Sequence, residues 1–365
     1  MKRKFITFTA ALIVAACAVF SGCSCTGNTT LSFKSTFSGG EAPTASYTET
    51  LEYRIDYSED YLERFKKDAG LSSAITFEYS NGLYRSEFKT APLSELADIE
   101  SDIKTDGRVN AVYKITTEFS VDFKILTING ETSDFTHTET IFTVAYIASA
   151  GASFAPLYAK EQAEYCIVSV ADKKAEVAIT ESVNETLYNV DDYTKTLTYA
   201  EYRINETADS ETAVKGTKSD KVKYDFLTAI DNAEFFFALR GISLEEKGTT
   251  NIPVVSLAYT DPTSLLITNT GVAEEWMTLN YVKNGNPAVI SDTAIKYNTY
   301  EYRINKTSAA GWSQYINIQA EKAGDLPNLA LPLKFAKPLA SLNGVNSVNM
   351  GSLVFTLTDV IVNDL

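Results

Sequence analysis

The sequence predicts a mostly β protein: a large curved antiparallel sheet or partial barrel built from long hairpins, with one buried helix near residues 225–240. Three observations carry this expectation. Beyond about residue 46, short runs dominated by Thr, Tyr, Phe, Val and Ile alternate apolar with polar residues, the pattern of strands with one face buried. Asn-Gly dipeptides separate two pairs of such runs, and Asn-Gly supplies the positive φ angles that a tight hairpin turn needs. The runs flanking Asn129-Gly130 exceed ordinary strand length, so a sheet built from them must curve.

Taken along the chain, Ser58 to Ala69 fits either a helix or a hairpin. The run Ala74-Ile75-Thr76-Phe77-Glu78-Tyr79, the turn Asn81-Gly82 and the run Leu83-Tyr84-Arg85-Ser86-Glu87-Phe88 read as the first hairpin. In that register Tyr79 faces Tyr84, Glu78 faces Arg85 and Ile75 faces Phe88, all favourable cross-strand pairs. Ser94 to Ile103 fits a short helix. A second, longer hairpin turns at Asn129-Gly130, with arms from about Val109 to Ile128 and from about Thr132 to Ala148. A third turns at Asp172-Lys173-Lys174. The helix runs from about Asp225 to Arg240 and stops at Gly241. Phe235-Phe236-Phe237-Ala238-Leu239 makes it apolar on most faces, so it must be buried.

One tetrapeptide occurs three times: Glu52-Tyr53-Arg54-Ile55, Glu201-Tyr202-Arg203-Ile204 and Glu301-Tyr302-Arg303-Ile304. On a strand, Tyr and Ile share one face and Glu and Arg the other. Such a repeat can line a site with Glu/Arg pairs. The simpler reading, a repeated strand with an apolar inner face and a salt-bridged outer face, needs nothing beyond strand alternation and is preferred. The spacings, 149 residues from Arg54 to Arg203 and 100 from Arg203 to Arg303, are unequal, which rules out a short-period solenoid.

The N-terminus has three zones. Lys2, Arg3 and Lys4 are basic, Phe5 to Phe20 is uncharged and apolar, and Ser21-Gly22-Cys23 follows. The apolar zone falls short of the roughly 20 residues that span a bilayer. A basic start, a short apolar core and small residues before a cleavage point read as a signal peptide. The segment resembles the lipobox of bacterial lipoproteins. That resemblance implies lipid attachment at Cys23, cleavage before it, and a chain anchored to the cell membrane on its extracytoplasmic side. Val14-Ala15-Ala16-Cys17 also fits, making Cys17 the alternative; Cys23 is preferred because it leaves a full apolar core. Residues 1–22 are then the signal and 23–46, rich in Thr, Ser and Gly, a flexible tether. Residues 47–365 form the body, as one domain or as two β subunits of about 47–205 and 206–365.

With 45% apolar residues the chain can bury a sizeable core. The net charge of −15 becomes −18 once the three basic signal residues leave, and a body this acidic repels phosphate backbones, which excludes nucleic acid as a partner. Of the four cysteines, Cys25 and Cys166 remain in the mature chain. Cys25 lies in the tether, and Cys166 in the run Tyr165-Cys166-Ile167-Val168 reads as a small buried hydrophobe, so no disulfide framework is expected.

The chemistry is mostly exclusion. The one histidine, His137, sits on an expected strand with no Gly-x-Ser-x-Gly elbow, and reads as a half-exposed strand residue. A zinc site has too few His and Cys to draw on. Ser86-Glu87-Phe88-Lys89 and Ser101-Asp102-Ile103-Lys104 match the Ser-x-x-Lys of penicillin-recognising enzymes, but the companion Ser-Asp-Asn and Lys-Thr-Gly motifs are absent. No phosphate loop, dinucleotide fingerprint or EF-hand loop is present, so no cofactor is expected. Asp191-Asp192 could ligate calcium, though a solvated turn accounts for it.

The long hairpins, lipid anchor and lone apolar helix resemble the half-barrel lipoprotein and lipid carriers of bacterial envelopes. Those use a curved sheet around an apolar cavity plugged by a helix. The chain is also similar to uncharacterised envelope lipoproteins of Gram-positive anaerobes. The first functional expectation is therefore a non-enzymatic binding protein for a hydrophobic or lipid-like ligand. The second is an envelope structural or adhesion module binding cell-wall glycan or protein through exposed aromatics, with Trp276 and Trp312 as stacking candidates. The third is a hydrolase using a carboxylate pair, which composition alone leaves open.

Overall fold

The structure is a computed structural model that describes residues 46–58, 74–92, 94–96, 109–150, 153–171, 174–189, 194–205, 218–223, 230–231, 237, 239–242, 244–255, 263–289, 293–306, 313–324, 326–343 and 346–364. The expected signal, tether, Cys17, Cys23, Cys25, Asp191-Asp192 and Trp312 lie outside the described residues.

The first half of the chain supplies β1 (Thr48–Ser58), β2 (Ile75–Ala91), β3 (Val109–Ile128), β4 (Glu131–Thr132), β5 (Thr136–Ala150), β6 (Ser153–Ala171), β7 (Lys174–Asn189) and β8 (Thr194–Asn205). The second half supplies β9 (Lys218–Lys223), β10 (Ile230–Asp231), β11 (Thr249–Val255), β12 (Thr263–Met277), β13 (Asn280–Lys283), β14 (Asn286–Val289), β15 (Ile295–Lys306), β16 (Ser313–Gln319), β17 (Pro332–Asn343) and β18 (Asn346–Asn363). Following the ladders gives one continuous sheet in the order β9-β8-β7-β6-β5-β3-β2-β1-β18-β17-β16-β15-β12-β11-β10, antiparallel except at β10–β11. The expectation of a large curved antiparallel sheet holds.

The sheet curls far enough to touch itself without closing. The β5–β6 ladder ends at Thr140↔Glu164, and beyond it β17 approaches the same edge of β6 through one parallel pair, Leu342↔Ser169. The strands from β6 round to β17 therefore form an incomplete ring.

The long second hairpin turns where expected. Asn129 and Gly130 have φ of 54° and 87°, the left-handed pair that a type I′ turn requires. The third lies where expected too, with Ala171 paired to Lys174. The first expected hairpin is not one. Residues 75–91 form a single strand, β2, and Asn81-Gly82 is a bulge within it: Ser80 pairs with Asp122 and Leu83 with Ser120, two residues opposite one. Asn81 takes φ 53° and donates its side-chain amide to Asp122 at 2.8 Å. The bulge has a packing cause. Phe77 and Tyr79 are odd-numbered and Tyr84 and Phe88 even-numbered, so an unbroken strand would put them on opposite faces. The extra residue brings all four to the inward face.

The expected helix also shrinks. Within residues 225–240 the structure has a short strand, Ile230–Asp231, paired to Val254–Val255, and of the described residues there only Phe237 and Leu239 are helical. Strand pairing offers Ile230 and Asp231 backbone partners in the sheet, which overrides the local helical signal. The apolar end of the segment is buried as expected. Leu239 is in the main core, Phe237 stacks on Phe88 at 4.3 Å, and Phe88 on Tyr113 at 5.2 Å. Arg240 then donates to both oxygens of Glu49, at 2.5 and 3.1 Å, and to Leu329 O; both charged side chains are only 2% exposed. Ser94–Leu96 is helical, and the rest of that expected helix lies outside the described residues.

Candidate functional site

The inward face of the curl is read from the register row by row. One row crosses the sheet as Leu357, Tyr53, Tyr84, Phe119, Ile141, Ala163 and Ser182. It runs from large aromatics on β1–β3 to small residues on β6 and β7. The aromatic side is a connected wall: Tyr53 lies 5.6 Å from Tyr84 and 5.4 Å from Phe335, and Phe335 stacks on Phe355 at 4.3 Å. Tyr84 and Phe119 are only half-buried, so solvent still reaches this wall. Lys337, exposed on β17, sits 5.9 Å above the Phe119 ring, a cation–π distance.

The next row starts at Leu51 and is polar from there on: Ser86, Thr117, Thr143, Glu161 and Asn184. Burial pushes the Tyr84 hydroxyl up to about 12, and hydrogen bonds with Thr117 and Ser86 hold it from rising further. Asn184 donates to Glu161 at 3.3 Å. Thr180, Asn184 and Thr186 on β7 are buried, and Thr180 Oγ1, Asn184 Oδ1 and Thr186 Oγ1 have no hydrogen-bond partner.

At the seam where the β5–β6 ladder stops, Glu139 fills the gap. Its carboxylate accepts the Cys166 backbone N–H at 3.1 Å, replacing the missing ladder bond. Glu139 is 7% exposed, and burial raises its pKa from 4.5 to about 7 against the lowering effects of that hydrogen bond and of Lys337. The same burial, with the charge of Glu139 beside it, pushes the Tyr79 hydroxyl far up. Sequence reasoning missed Glu139. Its signal, an acidic residue in phase with the inward positions Ile141 and Ala145, is visible only once the face is known.

The expected candidates fall as follows. His137 is half-buried on β5 with Nε2 3.2 Å from Glu164, off hydrogen-bonding geometry. Cys166 is half-buried, less enclosed than expected. Ser86 and Lys89 lie on β2 with the serine in the polar row, so Ser-x-x-Lys is here strand alternation. In the first and third tetrapeptides Tyr53, Ile55, Tyr302 and Ile304 are buried, as the repeated-strand reading expects, but the outer face differs from it: Arg54 pairs with Asp56 at 2.9 Å, Glu52 lies 3.7 Å from Arg85, and Arg303 Nε is buried without a partner among the described residues. Trp276, on β12, is 65% exposed, with Val272 on the same strand and Tyr300 across the ladder also exposed. Glu274, between them, pairs with Lys296. Among the described residues no group of His, Cys, Asp and Glu is arranged to hold a metal ion.

This arrangement defines a class: an open, curled β-sheet with a half-wet aromatic wall and a polar band beside it. No family model matches the chain, and no curated protein matches it. Among solved structures the chain is similar to a β-barrel-like protein of a domain of unknown function, DUF1849, from Brucella abortus. Identity is 6% over 89% of this chain and 100% of that one, with a TM-score of 0.39.

Proposed function

We propose that the chain is a lipid-anchored extracytoplasmic protein that binds a hydrophobic or lipid-like ligand, without catalysis, on the inward face of its curled sheet. The observation that carries the reading is the half-buried aromatic pair Tyr84 and Phe119 on a concave face, where a packed core would enclose them. Lys337 above Phe119 and the polar row beside it suit a ligand with a polar end. The test is native mass spectrometry of the protein taken from its host. A co-purifying amphiphile that is lost on Phe119→Ala supports the reading, and the protein mass alone in both forms sinks it.

A second reading has its own observation. Trp276, Val272 and Tyr300 are exposed on one sheet face around the Glu274–Lys296 ion pair, a mixed aromatic and charged surface suited to stacking on cell-wall glycan or on a protein. Quenching of Trp276 fluorescence by purified cell-wall glycan, absent in Trp276→Ala, would favour adhesion over carriage.

A further inference from the structure

We propose that the chain cross-links itself: the side chains of Lys334 on β17 and Asn317 on β16 join in an amide bond, with Glu275 on β12 as the catalytic residue. The register supplies the first observation. Asn317 and Lys334 stand directly opposite each other in the antiparallel β16–β17 ladder. Partners of this kind have Cβ atoms about 5 Å apart, within reach of a lysine stem. Glu275 comes from a third strand and touches both. Its Oε1 accepts from Asn317 Nδ2 at 2.9 Å, and its Oε2 accepts from Lys334 Nζ at 3.2 Å. A carboxylate only accepts, so the Asn317 amide must turn its NH2 group toward it. One carboxylate therefore bridges an amine nucleophile and the amide nitrogen that would leave.

The surroundings hold this trio together. Asn317 is buried, and Glu275 and Lys334 are half-buried. Asn317 Nδ2 also donates to Oγ1 of the fully buried Thr299 at 3.4 Å, and the buried Tyr297 stands opposite Glu275 on β15. Glu301, opposite Asn317 on β15, is engaged by Thr270 Oγ1 at 2.6 Å, which leaves the amide to Glu275. In the reaction a proton passes from Lys334 Nζ to Glu275 Oε2, and the freed amine lone pair attacks Asn317 Cγ. Glu275 hands that proton to Nδ2, and a second proton follows from Nζ by the same route. The Cγ–Nδ2 bond then breaks and the Nζ–Cγ bond remains. Nδ2 leaves as ammonium carrying both protons, and Glu275 ends as the carboxylate it began as. Nothing is oxidised or reduced. Holding amine and amide side by side can match an effective concentration on the order of 10⁵ M or more, and a positioned carboxyl adds general acid–base catalysis.

The bond is independent of what the inward face binds, and its test is peptide mapping of the full chain by mass spectrometry. Trypsin does not cut after an acylated lysine. The linked product is therefore residues 307–322 joined to the peptide that begins at Ala323 and runs uncut through Lys334, lighter than the two together by one ammonia. That species is expected in the wild type. Glu275→Gln, which keeps the size of the side chain but cannot shuttle a proton, should lose it, and so should Asn317→Ala, which removes the electrophile. Separate peptides 307–322 and 323–334 at full mass in the wild type would overturn the bond, whether or not a variant folds. A link that persists in Glu275→Gln would overturn the role of Glu275.

Discussion

Replacing Glu139 with Gln should stabilise the protein at alkaline pH and leave it unchanged in acid. The carboxyl has an ordinary pKa of 4.5 and is raised to about 7 by burial in the fold. A raised carboxyl binds its proton more tightly when folded than unfolded. Its favourable contribution is complete below about pH 4.5, declines as pH climbs, and is fully lost above about 7. The difference corresponds to about 3 kcal/mol at 1.36 kcal/mol per pH unit, and with the side chain 7% exposed no solvent discount applies. Gln keeps an oxygen for the Cys166 N–H and removes the charge. Urea unfolding of both proteins at pH 5, 6, 7 and 8 should therefore give curves that diverge with rising pH, the variant up to about 3 kcal/mol more stable at pH 8. Parallel pH profiles, or a variant weaker at pH 8, would refute the reasoning. They would mean that Lys337 or unseen solvent compensates the buried charge.

Gly82→Val should cost roughly 1–3 kcal/mol through overpacking, because a Cβ there would lie 2.5 Å from Ile55 Cβ and 2.8 Å from its carbonyl oxygen. An unchanged urea midpoint would count against the bulge. Arg240→Met alone should cost about 3–5 kcal/mol by stranding the Glu49 carboxylate, while Glu49→Leu with Arg240→Met should recover most of that; a double variant no better than the single one would show that the pair contributes by packing and not by charge compensation. Incorporation of a fatty-acid analogue should disappear in Cys23→Ser, whereas loss only in Cys17→Ser would move the attachment point there.

How much of this was legible beforehand depends on the range of the interaction. The Asn129-Gly130 turn and its long arms were readable, because both rest on local rules: positive φ at the turn and period-two alternation in the arms. Asn81-Gly82 obeys the same local rule and means something else. A bulge can begin, as a tight hairpin turn does, with a residue at positive φ, here Asn81, and only the strands on either side decide between them. Here β3 pairs with both halves of β2 and β1 with the second half, so the chain runs straight on. The parity change between Tyr79 and Tyr84 was the available clue. The Glu49–Arg240 pair, 191 residues apart, and the β1–β18 ladder left no local mark at all. The polar residues of β7 were visible as letters, but their burial is a property of the curl.

The β1–β18 ladder carries one more implication, for the order in which the molecule can be assembled. Thr48 bonds to Asn363 across a separation of 315 residues, and β1 lies between β2 and β18. A chain made from its N-terminus presents β1 with one edge bare until almost all the remaining residues have emerged. Pairings this distant are slow to form, and an unpaired edge held open during synthesis is a template for another chain. Glu49, Glu52, Arg54 and Asp56 along β1 would keep such a waiting strand charged and soluble until its partner arrives.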